Sequence, residues 1–181
     1  MSSNGRSLEE RVAEIEAKLA IQELACNYVH GMDKAEKDRF MDCWTDDAKF
    51  IIGGAWGEFI GKDAIADGFN AFQYAFFEMH HFTTGHQILS IDGDTATGQC
   101  DAFVAGTDSG GTAISAAASY KDFYRREADG RWRFSSREII IHFLVPWLKP
   151  QGMDEATRGY HTPELGAELV RLGMERLGVT A

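Results

Sequence analysis

Among the side chains of this sequence whose types can move or hold a proton are Tyr28, Asp33, the adjacent His80 and His81, and Arg137. An imidazole has an ordinary pKa of about 6.5, which makes it a usable base at neutral pH. Each residue also has a plain structural use. Asp33 with Glu36 three residues on reads as a capping box for a following helix, Tyr28 sits on an apolar helical stripe, and Arg137 could pair at the surface with any of the 28 carboxylates. A strand histidine is often satisfied by backbone or solvent. His80 and His81 are rivals, because adjacent strand residues face opposite ways and only one can enter a cavity. Other chemistries find less support. His81 and His86, five apart, are expected on opposite strand faces, and His30, His142 and His161 lack H-E-x-x-H or similar spacing, so no metal site is expected. There is no G-x-S-x-G elbow, and none of Cys26, Cys43 and Cys100 adjoins a candidate base.

The elements that must position these residues are legible in the hydrophobic pattern. Residues 1–7 are polar and expected to fray. Leu8, Val12, Ile15, Leu19, Ile21, Leu24 and Tyr28 recur at short helical steps and are expected to form one buried face of a long helix that stops at Gly31. Tyr28 and Asp33 would lie well apart on an unbroken helix, so both can face inward only if the helix ends near that glycine. A second helix is expected to start at the Asp33–Glu36 signal and to carry Phe40, Met41 and Trp44. A short strand follows over 48–52, and a Phe-rich third helix over 64–78 with Ile65, Phe69, Phe72 and Phe76 on one side. From His81 the period changes to that of strands. The runs 81–91, 95–107, 111–126 and 131–144, separated by turn residues, predict four long strands in hairpin order. Such a twisted sheet curls over the helices as an α+β cone with an internal cavity. The tail, 147–181, is expected to carry a short amphipathic helix over about 163–177.

Composition bounds the partners. The 181 residues suit one domain, 8–146, with a C-terminal extension, and the net charge of −10 argues against nucleic acid, whose phosphates reward clustered Lys and Arg. With no apolar stretch long enough for a membrane span and no signal-peptide pattern at the start, a cytoplasmic protein is expected. The three cysteines have no C-x-x-C pair and read as reduced thiols.

At this point particular residues carry a resemblance. The runs Tyr28-Val29-His30-Gly31-Met32-Asp33, Cys43-Trp44-Thr45-Asp46-Asp47-Ala48, His80-His81-Phe82 and Tyr120 to Phe134 resemble the SnoaL-like branch of the nuclear transport factor 2 fold, within it the hexachlorocyclohexane dehydrochlorinases, bile acid 7α-dehydratases and scytalone dehydratases. The resemblance spans about residues 8–146. It implies a cone-shaped curled antiparallel sheet packed on three helices, with a helix-borne Asp and a strand-borne His paired inside; the matching positions are Asp33 and His81. It further implies Tyr28 as a pocket tyrosine and Arg137 as a pocket-lining residue able to hold an oxyanion or phenolate. Where the bile acid dehydratases carry a further carboxylate this sequence has Val104, and Asp101 lies three residues short, on the other strand face of a regular strand. Trp44, Phe69, Phe72, Phe76, Val104 and Ile139 are the candidate apolar walls for a bulky ring.

The expectation is then a cofactor-independent lyase, dehydratase-like, acting on a hydrophobic cyclic or aromatic small molecule with His81 as base, Asp33 as its orienting partner, and Tyr28 and Arg137 stabilising developing oxygen charge. Neither a metal nor an organic cofactor is expected. Water is the expected leaving group, with halide or formaldehyde as alternatives. Rival readings are a ketosteroid-isomerase-like isomerase or polyketide-cyclase-like enzyme, and a non-catalytic module such as an oxygenase small subunit. A homo-oligomer, trimer ahead of dimer, is expected because three helices leave the outer sheet face uncovered.

Overall fold

Ser7 opens the first helix, α1 (Leu8–Asp33), through a capping box: its hydroxyl accepts the Glu10 backbone N–H at 3.1 Å while the Glu10 carboxylate accepts the Ser7 N–H at 2.7 Å. The computed structural model describes residues 5–53 and 56–146. In it α1 runs through Gly31 without a break and ends only after Asp33. Gly31 has a different use from the expected stop. A Cβ there would sit 2.7 Å from the backbone nitrogen of Phe40, so the missing side chain lets the next helix lie directly on α1. Asp33 is accordingly the last residue of α1 and does not cap the second helix. The left-handed turn at Ala35 leads into α2 (Lys37–Asp42), whose N-cap, Glu36, makes no side-chain capping bond.

The expected single stripe on α1 is two stripes. Ile21, Leu24 and Tyr28 are buried with Ala17, Ala25 and Met32, whereas Leu8, Val12, Ile15 and Leu19 are exposed. The reason is phase: the step from Leu19 to Ile21 is two residues, about 200° around a helix, which moves the apolar series to the opposite side.

Trp44 belongs to a strand rather than to α2. It begins β1 (Trp44–Ile52), which pairs antiparallel with a short β2 (Gly57–Ile60) that the hydrophobic pattern did not predict. The third helix, α3 (Lys62–Ala75), ends before Phe76, which starts β3 (Phe76–Asp92). Then come β4 (Thr95–Asp108), β5 (Ala113–Arg126) and β6 (Trp132–Pro146), the meander expected from the turn residues. The sheet order is β2-β1-β6-β5-β4-β3. It is a curled six-stranded mixed sheet over three helices, an α+β cone, with β1 and β6 its one parallel pairing among the described strands. The short helix expected over 163–177 lies outside the described residues.

Alternation decides what enters the cone. On β5, Ile114, Ala116, Ala118, Tyr120, Asp122 and Tyr124 are buried, and from Ala117 onward the residues between them are more exposed. The opposite face of the sheet carries exposed Phe82, Phe103, Phe123 and Phe143, the uncovered surface on which the expectation of a homo-oligomer rests. No helix among the described residues is long and apolar enough to cross a membrane.

Candidate active site

The end of α1 meets β3 inside the cone. Asp33 Oδ1 lies 2.5 Å from His81 Nδ1, and Asp33 Oδ2 accepts the His81 backbone N–H at 2.8 Å. Both side chains are nearly buried, 11% and 8% exposed, so water screens the pair weakly. A carboxylate only accepts, so in the neutral imidazole the proton sits on Nδ1 and the lone pair on Nε2. His80 takes the other face, exposed and beside Glu78 at 2.9 Å. The rivalry between the two histidines is thus resolved by the pleat, with His81 inward.

His81 forms part of a cavity of about 90 Å³, several times the roughly 10–15 Å³ that a single water needs. Its walls are almost wholly apolar: Met32, Phe50, Phe72, Phe76, Met79, Val104, Ile139 and Ile141 among others. The polar exceptions among the described residues are His81, the Tyr28 and Tyr120 phenols and the Trp56 indole. Of the expected walls, Phe72, Phe76, Val104 and Ile139 are in place; Phe76 stands on β3, not on α3. Trp44 and Phe69 are not on the cavity. They are core: Trp44 is 0% exposed and packs on Phe40, Phe50 and Phe134, while the Phe69 ring lies tilted against that of Phe40, 5.0 Å between centroids.

Tyr28 lines the cavity although the helix is unbroken: Asp33 meets β3 through His81, while Tyr28 packs against Phe134 and Arg137 of β6. Its ring stands edge-on to His81 at 6.5 Å between centroids. Burial pushes the phenol well above its usual pKa, with the Arg137 guanidinium pulling the other way, so at neutral pH it stays protonated and able to donate.

Arg137 departs from its expected place. It does not line the cavity but is 1% exposed behind the Tyr28 ring, with its guanidinium 4.3 Å from that ring's centre, 4.1 Å from Phe134 and 4.7 Å from Tyr120. Nε and Nη2 donate to Asp122 Oδ1 and Oδ2, each at 2.8 Å. A buried arginine needs such a bidentate partner, and a directly opposed position on β5 supplies it. Asp122 also accepts from the Tyr124 hydroxyl at 2.8 Å, and that hydroxyl lies 3.2 Å from His86 Nε2. The sequence reading passed over Asp122, Tyr120 and Tyr124, although the period of two on β5 places all three on the inner face. It also set His86 opposite His81. A β-bulge between Thr84 and Gln87, with Gly85 at φ +64°, inserts the extra residue that brings both histidines to the inner side.

Asp101 is on the outer face as expected, bonded to Ser119 at 2.8 Å. Cys43 and Cys100 are buried, their thiols pushed up to about 12 and about 11 by burial, while Cys26 is exposed. No cluster of three or more His, Cys, Asp or Glu with metal-binding geometry occurs among the described residues.

Known proteins place this geometry in a family. The SnoaL-like domain pattern matches residues 13–138. The gamma-hexachlorocyclohexane dehydrochlorinase of Sphingobium indicum is 30% identical over 132 residues, covering 72% of this chain and 83% of that protein. A crystal structure of a type 2 hexachlorocyclohexane dehydrochlorinase superposes with a TM-score of 0.71 at 27% identity, over 79% of this chain and 99% of that one. A Novosphingobium aromaticivorans structure named for scytalone dehydratase shares the fold, with a TM-score of 0.67 at 16% identity over 82% of this chain and 100% of that one. On its sequence match and on its architecture alike, the chain belongs to the SnoaL-like domain family.

Proposed function

We propose that the protein is a lyase that abstracts a proton from carbon in an uncharged, hydrophobic ring compound and expels a leaving group from the neighbouring carbon. The observation that carries the reading is the Asp33–His81 contact at 2.5 Å, with His81 on the wall of a largely apolar cavity. His81 Nε2 takes the proton. The C–H electron pair forms the new double bond, and the leaving group departs with its own pair. Asp33 holds the tautomer and stabilises the imidazolium, whose proton is then released. The protonated Tyr28 phenol is placed to donate to a departing oxygen, which favours water as the leaving group. Arg137 acts through Tyr28, keeping positive charge behind the ring. The dehydrochlorinase names of its relatives support elimination as the reaction class. Nothing in these steps calls on a metal or organic cofactor.

Purified protein incubated with a panel of hydroxylated and chlorinated alicyclic and aromatic compounds should deplete one class and yield a product lighter by water or hydrogen chloride. The His81→Ala variant should lose turnover while its circular dichroism stays that of the parent. Full activity in that variant would overturn the base assignment, and a product of unchanged mass would overturn elimination in favour of isomerisation.

A further inference from the structure

Leu8, Val12, Ile15 and Leu19 are the one part of α1's apolar series that the cone does not use; they are between 43% and 71% exposed. Their steps of four, three and four residues are those of a heptad seam, in which Leu8 and Ile15 take one seam position and Val12 and Leu19 the other. The seam lies on the opposite side of the helix from Ala17, Ile21, Leu24 and Tyr28, which face the cone, so a partner lying along it displaces none of the residues that face the cone. The residues flanking the seam differ in sign from one side to the other. Glu9, Glu16 and Glu23 run along one edge, and Arg11 and Lys18 along the other.

We infer that α1 pairs in parallel with α1 of a second copy of this chain through Leu8, Val12, Ile15 and Leu19. Charge complementarity selects both the partner and its direction. In a parallel pair, Arg11 faces Glu16 of the second copy and Lys18 faces Glu23 of the second copy, and the two-fold axis repeats each contact. In an antiparallel pair, glutamates would face glutamates and basic residues would face basic residues, which is destabilising. A two-heptad helix is too short to pair when it must also fold. Here the cone and the Ser7–Glu10 capping box already hold the helix, so that ordering cost has been met before association. The seam is separate from the exposed Phe residues on the outer sheet face and from the cavity.

In a parallel pair each seam residue faces its own counterpart, which makes a single cysteine diagnostic. The full chain with Cys26→Ser, to remove the exposed native thiol, and Leu19→Cys should form an interchain disulfide under mild oxidation and migrate at twice its mass. Cys26→Ser with Ala13→Cys, exposed but off the seam, should remain single under the same conditions. Adding Glu16→Arg and Glu23→Arg to the Leu19→Cys protein should lower the cross-linked fraction several-fold, and further adding Arg11→Glu and Lys18→Glu should restore it. A Leu19→Cys disulfide no more abundant than the Ala13→Cys control would overturn the pairing, as would cross-linking indifferent to charge reversal. Protection of the Leu19→Cys thiol from alkylation without cross-linking would also overturn it, and would point to residues 148–181 as the cover.

Discussion

Asp33 gives both carboxylate oxygens to a single residue, one to the ring of His81 and one to its backbone N–H. The second bond matters as much as the first, because it fixes the carboxylate to the strand that carries the imidazole. Helix end and strand therefore cannot drift apart without losing two charge-assisted bonds. Replacing Asp33 by Asn preserves the shape and removes the charge that would stabilise an imidazolium. Steady-state turnover of the Asp33→Asn variant on the substrate found by the panel should fall by about 10²- to 10⁴-fold, the range that general-base assistance supplies. Its thermal midpoint should also fall, because a carboxamide cannot accept at both positions, while the circular dichroism stays that of the folded parent. Parent-like turnover in that variant would mean that the carboxylate is only a helix-end ligand. The pair was readable in advance through the resemblance of the Tyr28–Asp33 and His80–Phe82 runs, whereas local pattern alone left Asp33 equally readable as a helix cap. Arg137 was expected on the cavity wall, and nothing near it in sequence announces that Asp122 stands opposite on the neighbouring strand.

At the scale of elements, the site depends on α1 and α2 lying close enough for the chain to reverse immediately after Asp33. Gly31 permits this by presenting no side chain to the Phe40 backbone, where a Cβ would approach to 2.7 Å. The Gly31→Ala variant should lose about 1–3 kcal/mol in urea unfolding, as overpacked positions do. Because Asp33 is two residues downstream, the variant should also lose turnover beyond what its residual folded fraction explains. Equal stability in the two proteins would show that α2 yields easily and that the close approach is incidental. The β-bulge at Gly85 makes a second element-level decision. A regular strand would send His81 and His86 to opposite faces, and the extra residue gives the inner side both of them. Bulges of this kind leave little trace in a hydrophobic pattern, which is why β3 was expected as a plain alternating strand.

For the whole molecule, a polar chain runs from buried Arg137, Asp122 and Tyr124 to half-buried His86 and ties β3, β5 and β6 together. Desolvation by burial is the largest influence on His86 and holds its pKa below the ordinary 6.5, with Arg137 pushing the same way and Asp122 opposing. The unfolded chain therefore takes up this proton before the folded chain does. The contribution to stability is complete above the ordinary imidazole pKa and is lost as the pH falls through the lower folded value. The urea midpoint should fall between about pH 8 and about pH 5, and His86→Gln should flatten that fall. An identical pH profile in the variant would mean that His86 titrates alike in both states.

The amino-acid order by itself determined the long first helix, the meander and the alternation that turns Tyr120, Asp122 and Tyr124 of β5 inward. Periodicity and turn chemistry act over a few residues, and these features need no more. The phase break at Leu19–Ile21 is local in the same way, a two-residue step that splits one apolar series into two helix surfaces. Only the tertiary structure decided that Trp44 and Phe69 are core rather than cavity wall, that Arg137 is neutralised by Asp122, and that β1 lies parallel to β6. Those outcomes depend on which faces meet across the cone, and the residues that meet are far apart along the chain, where no local period relates them.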